Sequence, residues 1–314
     1  MSSPSLAPPP FDRESADLIF RTCDDVDFRV HKCILAIASP LHNDASEAES
    51  LGPTTDSKDG ADGAESRTVI LVTEDSDVLD KLLRFVYPVA SPSLETLDEL
   101  KPVLEAALKY QMDETTDVLR TMLVSKKFLE SEALRVFAIA CFHGFEKETR
   151  IAAMYACYKG LPGPNIRELS SITASATRAL WELKDKAAGP ACLVVSNLAW
   201  LAESDEVNRD WVFFVCTECE EADTQVQLRH ARVSPRSWWH DYLRTAEEQL
   251  KNCSCGATVT SDWLIQSTVG KFSNRCNTCS IDGKGLADLK AFSRLLAARV
   301  DDVVMEVACT LKFQ

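Results

Sequence analysis

The stretch DLIFRTCDDVDFRVHKCILAIA, residues 17–38, constrains this chain more than any other. Two short runs, DLIFRT (17–22) and VDFRV (26–30), flank the turn Cys23-Asp24-Asp25. In the second run Val26, Phe28 and Val30 share one face while Asp27 and Arg29 share the other, the period of a half-buried strand. CILAIA (33–38) follows almost at once; it is apolar on every side and reads as a fully buried helix. Ser39-Pro40 then supplies a cap and first-turn signal for another helix.

The expected helix gives way to polar sequence. Between Asn43 and Ser66 there are seven acidic residues, one basic residue and no aromatic. That composition buries too little surface to offset its ordering entropy, so a flexible insert is expected at 43–66. TVILV (68–72) restores a strand pattern. A helix is expected from Asp77 to Tyr87, with Val78, Leu79, Leu82, Leu83 and Val86 on one face and Pro88 ending it. Further helices are expected to start near Pro102, Asp113 and Ser131, and Gly144 and Gly160 suit helix C-caps.

The succession ADLIFRTCDDVDFRVHKCILAIASP, TVILVTEDSDVLDKLLRFVYP, LEAALKYQM resembles a BTB/POZ domain over about residues 12–125, in the version common in fungal (basidiomycete-like) proteins. His31-Lys32, Ser39-Pro40, the LLRFVYP helix end and the AALKY helix carry the resemblance. It implies a short sheet capped by helices, used for protein–protein contact and not for catalysis. The helical stretch 126–205 is similar to the extension that such fungal proteins carry. The chain is therefore expected to be of the α+β class: a disordered N-terminus (1–11), the BTB/POZ-like domain (12–125), the helical extension (126–205) and a small cysteine-containing α+β domain (206–314).

The resemblance also sets expectations about partners. In the family, Ser-Pro is followed by a bulky apolar residue and a helix ending in Met or Phe, a region that contributes to partner or cullin binding. Here the chain reads Leu41-His42-Asn43-Asp44-Ala45, so cullin binding through this region is not expected. Many members dimerise by exchanging an N-terminal strand. Only ten residues, four of them proline, precede Phe11, which leaves little to exchange; a homodimer through another face stays open.

Charge narrows the partners further. A formal net charge of −14 and a pI near 4.9 argue against nucleic-acid backbones and anionic membranes, which select for clustered Lys and Arg. The apolar runs Leu134–Phe142 and Ala191–Leu201 are of core-helix length, short of the roughly 18 residues that span a bilayer. MSSPSLAPPP has neither a basic nor an apolar region of a secretory signal. An intracellular location, cytoplasm or nucleus, is expected, where paired thiols bind metal more often than they oxidise.

Six of the twelve cysteines crowd into residues 216–279. Cys216 and Cys219 form a CxxC after the strand pattern WVFFV, and Cys276 and Cys279 form another in RCNTCS. Such turns bring two thiolates to one metal at about 2.3 Å, and two turns complete a tetrahedron. The pairs stand 56 residues apart, so the segment between them must fold, and Ser234-Pro235 opens a helix with Trp239, Leu243, Ala246 and Leu250 on one face. A final helix is expected from Leu286 to Val307, apolar at 286, 289, 292, 296, 300, 303 and 307. One or two structural zinc ions are expected, with Cys216, Cys219, Cys276 and Cys279 as the favoured ligands. Cys253 and Cys255 could replace a member or build a second site with His230 or His240. Buried thiols, disulfides or a redox role are the alternatives. Cys23, Cys33, Cys141, Cys157, Cys192 and Cys309 are isolated and read as buried small hydrophobes.

Catalytic motifs do not hold up. Cys23 and Arg29 fit a phosphatase C-x5-R spacing, but the intervening DDVDF repels phosphate and offers no glycine cradle. Trp238-Trp239 near Arg229, Arg232 and Arg236 hints at a nucleic-acid face, yet residues 205–314 hold 13 basic against 16 acidic residues, and the pair reads as core. The sequence points to a non-enzymatic protein-interaction protein. The alternatives are a substrate adaptor of a cullin-type ubiquitin ligase and a zinc-dependent transcription regulator.

Overall fold

The computed structural model describes residues 3–39, 67–159, 166–203, 209–227, 232–273, 275–280 and 283–313. The expected insert 43–66 lies outside the described residues, as do Pro40, His42, Gly160, Arg229 and His230. The chain divides into two compact units, Met1–Phe128 and Leu129–Gln314.

Unit 1 is built on a four-stranded sheet of order β1-β3-β2-β4, from β1 (Ser5–Leu6), β2 (Leu18–Arg21), β3 (Val26–Val30) and β4 (Thr68–Leu71). β2 and β3 pair antiparallel, with Phe20 opposite Phe28, as the alternating patterns require. β4 lies parallel to β2, so the chain must cross over between β3 and β4. Residues 3–11, expected from sequence to be disordered, instead place β1 parallel to the edge of β3, and Phe11 is fully buried against Phe28 and Tyr87. Apolar burial at Ala7 and Phe11 is what ties this proline-rich start to the sheet.

The described residues of unit 1 add four helices to the sheet: α1 (Lys32–Ala38), α2 (Ser76–Val86), α3 (Leu97–Lys109) and α4 (Asp113–Leu123). The expected burial of α1 is not met. Only Leu35 is buried, Cys33 is exposed and Ile37 is 89% exposed. A helix that is apolar all round carries no stripe to say which face turns inward. α3 starts at Leu97 and not at Pro102, because Thr96 and Glu99 form a capping box; Pro102 sits inside the helix and forfeits one backbone bond.

Hydrogen bonds join the separate sequence blocks of unit 1. The His31 N–H donates to the Tyr87 hydroxyl at 2.7 Å. Ser39 Oγ, fully buried, donates to the Tyr110 carbonyl at 2.5 Å. The Tyr110 hydroxyl donates to Glu74 at 2.5 Å, and Lys109 Nζ adds a bond of 2.8 Å. Burial alone would push the Glu74 carboxyl up, but the Lys109 and Tyr110 bonds outweigh it and hold the group below its ordinary value. A carboxylate whose folded pKa is lowered contributes stability above its unfolded pKa and loses it as pH falls through the folded one. Glu74→Gln is therefore expected to cost about 1–3 kcal/mol near neutral pH, with the difference from wild type shrinking progressively as pH falls below the ordinary carboxylate range. Urea denaturation of both proteins across pH 3–7 measures it; an equal loss at all pH values would remove the carboxylate from the account.

Among its described residues, unit 2 is helical apart from one two-stranded ribbon. It contains most of α5 (Lys126–Phe142), kinked at Glu132 near the expected start at Ser131, then α6 (Glu146–Lys159), α7 (Ala174–Ser196) and α8 (Val212–Val215). The ribbon pairs β5 (Val226–Gln227) with β6 (Arg232–Val233). α9 (Ser237–Leu250), α10 (Gly256–Val259), α11 (Asp262–Phe272), α12 (Asn277–Ser280) and α13 (Lys284–Cys309) complete it. Gly144, at φ +72°, follows α5 in the left-handed conformation that suits a helix end. The residues expected to form a helical extension share this unit with the cysteine-bearing segment, since α7 packs on both α9 and α13. α13 buries Leu289, Phe292, Leu296 and Val300 as the spacing predicts. Its last turns bury Val304 and Ala308 in place of Val303 and Val307. The 3.6-residue period drifts off the mixed three- and four-residue spacing at that end.

Candidate metal centre

The first CxxC turn follows α8. WVFFV, expected as a strand, instead makes one helical turn at Val212–Val215. The reason lies far along the chain: buried Asp288 on α13 accepts the Val212 N–H at 2.8 Å and the Arg209 guanidinium at 2.7 Å. A carboxylate on the first N–H groups favours a helix start over a strand. Aromatic packing then fixes the turn. Phe213 stacks on Trp239 at 4.7 Å and meets Phe292 edge-on at 5.5 Å. The Cys216 N–H closes onto the Val212 carbonyl at 2.9 Å, which aims its thiol inward.

The second CxxC turn follows α11, with the Cys276 N–H bonded to the Phe272 carbonyl at 3.1 Å. α13 begins hard against it. A Cβ at Gly285 would stand 2.6 Å from the Cys279 carbonyl and 2.7 Å from the Phe272 ring, so only glycine fits. Glu218, inside the first turn, reaches across to the second. Its carboxylate accepts from Thr278 Oγ1 at 2.6 Å, the Asn277 N–H at 2.9 Å and the Thr278 N–H at 3.3 Å.

These contacts bring together four thiols. Cys216 and Cys276 Sγ stand 3.5 Å apart, Cys219 and Cys279 Sγ 3.6 Å apart, and all four sulfurs lie within 4.8 Å of one another. A tetrahedral zinc with bonds of about 2.3 Å needs sulfur separations of about 3.8 Å, so the set fits that ion. Cys216, Cys276 and Cys279 are at most 3% exposed, the closed environment of a structural site. The Cys279 N–H also donates to Cys276 Sγ at 3.3 Å, a contact that steadies a thiolate.

The thiols do not titrate alike. Burial pushes Cys216 up, but the N–H groups of Cys219 and Glu218 and the thiols of Cys276 and Cys279 point at it and bring it below its ordinary value. Burial and the Cys276 thiol push Cys219 up to about 12, and burial and the same neighbour push Cys279 up. A metal bound here would displace the protons of the raised thiols, so acid opposes metal binding.

The remaining sequence candidates stand apart. Cys253 and Cys255 sit on the turn between α9 and α10 and are not members of the four-thiol set; half-buried His240 on α9 is outside it too. Among the described residues no other group of ligating side chains converges so closely. The isolated cysteines depart from expectation: Cys23, Cys33 and Cys309 are exposed, and Cys141, Cys157 and Cys192 are partly so. Each exposed one occupies a turn or a helix end. Trp238 and Trp239 are 3% and 0% exposed and belong to the core. Arg236 is bound to Glu221 at 2.9 Å. Asp288 and Glu218, which position both cysteine turns, carry no spacing signal that sequence reading could have used.

No helix among the described residues is long and apolar enough to cross a membrane. A search of curated proteins finds no match to the chain. Residues 11–127 match the family model of the BTB/POZ domain. With the sheet, the α1 to α4 cover and the linked sequence blocks described above, the N-terminal part of this chain is a BTB/POZ domain, a module of protein–protein interaction.

Proposed function

We propose that the chain is a non-enzymatic interaction protein whose BTB/POZ domain contacts partner proteins and whose second unit is held by one structural zinc on Cys216, Cys219, Cys276 and Cys279. The family match supports the first half, and the convergence of four sulfurs within 4.8 Å supports the second. The kinship to the fungal version of the domain rests on the sequence blocks alone.

A groove of about 670 Å³ on the BTB/POZ domain suits the contact. Ile34, Ile37, Phe85 and Val118 line it, with Asp113 and Glu114 beside them. Apolar walls next to two carboxylates favour a partner segment with apolar anchors and Lys or Arg flanks. Ile37→Asp, compared with wild type as bait in quantitative mass spectrometry, is expected to lose some partners more than tenfold with an unchanged melting temperature. An identical partner set would remove the groove from the proposal. A fall in melting temperature with unchanged partners would show that the chain covers this face itself.

The finer readings separate in solution. A cullin adaptor forms a saturable complex with a purified cullin; at micromolar concentration we expect none. A zinc-dependent transcription regulator binds DNA with an affinity that falls as salt rises. Light scattering decides between monomer and homodimer.

A further inference from the structure

A cavity of about 260 Å³ opens in unit 2 where three chain segments meet. Cys141 and Gly144 bring the end of α5 to it, Glu146 and Arg150 the first turns of α6, and Cys309 to Phe313 the end of α13. The segment after α13 fixes its shape. The Thr310 and Leu311 N–H groups bond back to the Val307 and Ala308 carbonyls at 3.0 and 3.2 Å. The chain then lies on α5, where the Phe313 ring meets Phe137 edge-on at 5.7 Å and the Cys141 thiol donates to the Phe313 carbonyl at 2.9 Å. Leu311 and Phe313 are each 8% exposed, so this segment is packed and gives the cavity an apolar wall.

The lining carries more positive than negative charge, in a chain whose net charge is −14. Its charged members are Arg150, Lys312 and Glu146. Arg150 Nη2 donates to the Glu146 carboxylate at 3.0 Å, but the Arg150 Nε–H is buried and has no acceptor. Lys312 is exposed and makes no ion pair among the described residues. Cys141 adds no charge, because burial pushes its thiol above the ordinary value and keeps it neutral. Buried donors in folded proteins are nearly always bonded. An orphaned guanidinium N–H on a residue that lines a cavity calls for an acceptor from outside the fold.

We propose that this cavity binds a small monocarboxylate, its anionic end on Arg150 and Lys312 and its apolar end against Leu311 and Phe313. A guanidinium suits a planar carboxylate, and a charge-assisted bond is the stronger kind. Two cations against one carboxylate leave a single positive charge, which a monoanion balances. A phosphate dianion would exceed it and stand against Glu146. The volume lies below the usual range of drug-sized sites, so a short acid is the right scale.

The test uses the full chain, hexanoate as the probe and hexanol as its uncharged counterpart. Exposed Cys309 lines the cavity and reports on its occupancy. At about 10 mM, hexanoate is expected to slow the alkylation of Cys309 by iodoacetamide at least about threefold. Exposed Cys23 and Cys33, followed in the same peptide mass maps, should react at unchanged rates. Hexanol at the same concentration should slow Cys309 less than half as much. Arg150→Met should raise the hexanoate concentration for half-protection at least about tenfold, because a charge-assisted bond is lost. Lys312→Met, at an exposed position, should raise it about two- to fivefold. Equal protection by hexanol, a wild-type response in both variants, or no protection of Cys309 overturns the proposal. If Arg150→Met does not fold, the hexanol comparison and Lys312→Met decide.

Discussion

Protein purified without chelator or metal-binding tag is expected to carry about one zinc ion per chain, and Cys276→Ser with Cys279→Ser to carry less than about 0.2. The double variant should lose most of the stability of unit 2 while the BTB/POZ domain still melts on its own. The magnitudes decide this. A structural zinc on thiolates contributes an apparent 10–16 kcal/mol, comparable to the whole 5–15 kcal/mol of a folded domain. The ion would also close a long loop, because the paired turns lie 60 residues apart at Cys216 and Cys276. Glu218 holds the two turns together through Thr278 and Asn277 without the ion, so residual structure in the variant is compatible with the site. Elemental analysis and a two-probe melt are the measurements. Wild-type protein with less than about 0.2 zinc, together with an unchanged melt of the double variant, would return the four cysteines to buried thiols.

The BTB/POZ domain was legible because its blocks carry strong periodicity and touch one another. His31 at the start of α1 bonds Tyr87 at the end of α2, and Ser39 bonds Tyr110 at the end of α3. The positions that carried the resemblance are those where separate blocks meet. CILAIA misleads for the opposite reason: with every position apolar there is no phase, and Ile37 faces outward. Pro102 suggests a helix start, although the capping box at Thr96 lies upstream of it. A proline marks where a helix is hard to enter or continue, while a reciprocal cap supplies the bonds that start one.

In unit 2 the four cysteines of the two CxxC spacings are the ones whose sulfurs converge, because a CxxC turn holds its own geometry whatever lies between the pairs. Spacing did not separate Cys253 and Cys255 from that quartet. Their distance from it is set by the packing of α10 against α13, where Gly256 meets Ala297 and Asp301. WVFFV failed as a strand because five apolar residues carry no period, and the deciding contact, Asp288 on the Val212 N–H, comes from 76 positions along the chain.

Phe213→Ala is expected to destabilise unit 2 by about 3–5 kcal/mol and to weaken zinc binding without touching a ligand. Phe213 is fully buried at the meeting of α8, α9 and α13, stacked on Trp239 at an interplanar angle of 6° and set edge-on to Phe292. Removing the ring leaves a cavity among large, stiff aromatic neighbours that collapse poorly, which puts the cost at the upper end for a core truncation. Its effect on the metal follows from chain connectivity. Phe213 anchors the single turn of α8, and the Cys216 N–H closes that same turn on Val212. Loosening the turn frees one of four ligands, so the ion should be lost to a competing chelator at lower concentration than in the wild type. Phe213→Leu keeps most of the volume and should lose less than half as much stability. Urea denaturation and chelator competition on the same samples separate the two effects. If Phe213→Ala unfolds unit 2 more readily while zinc affinity stays at the wild-type value, the aromatic core and the metal centre are independent, and α8 does not position Cys216.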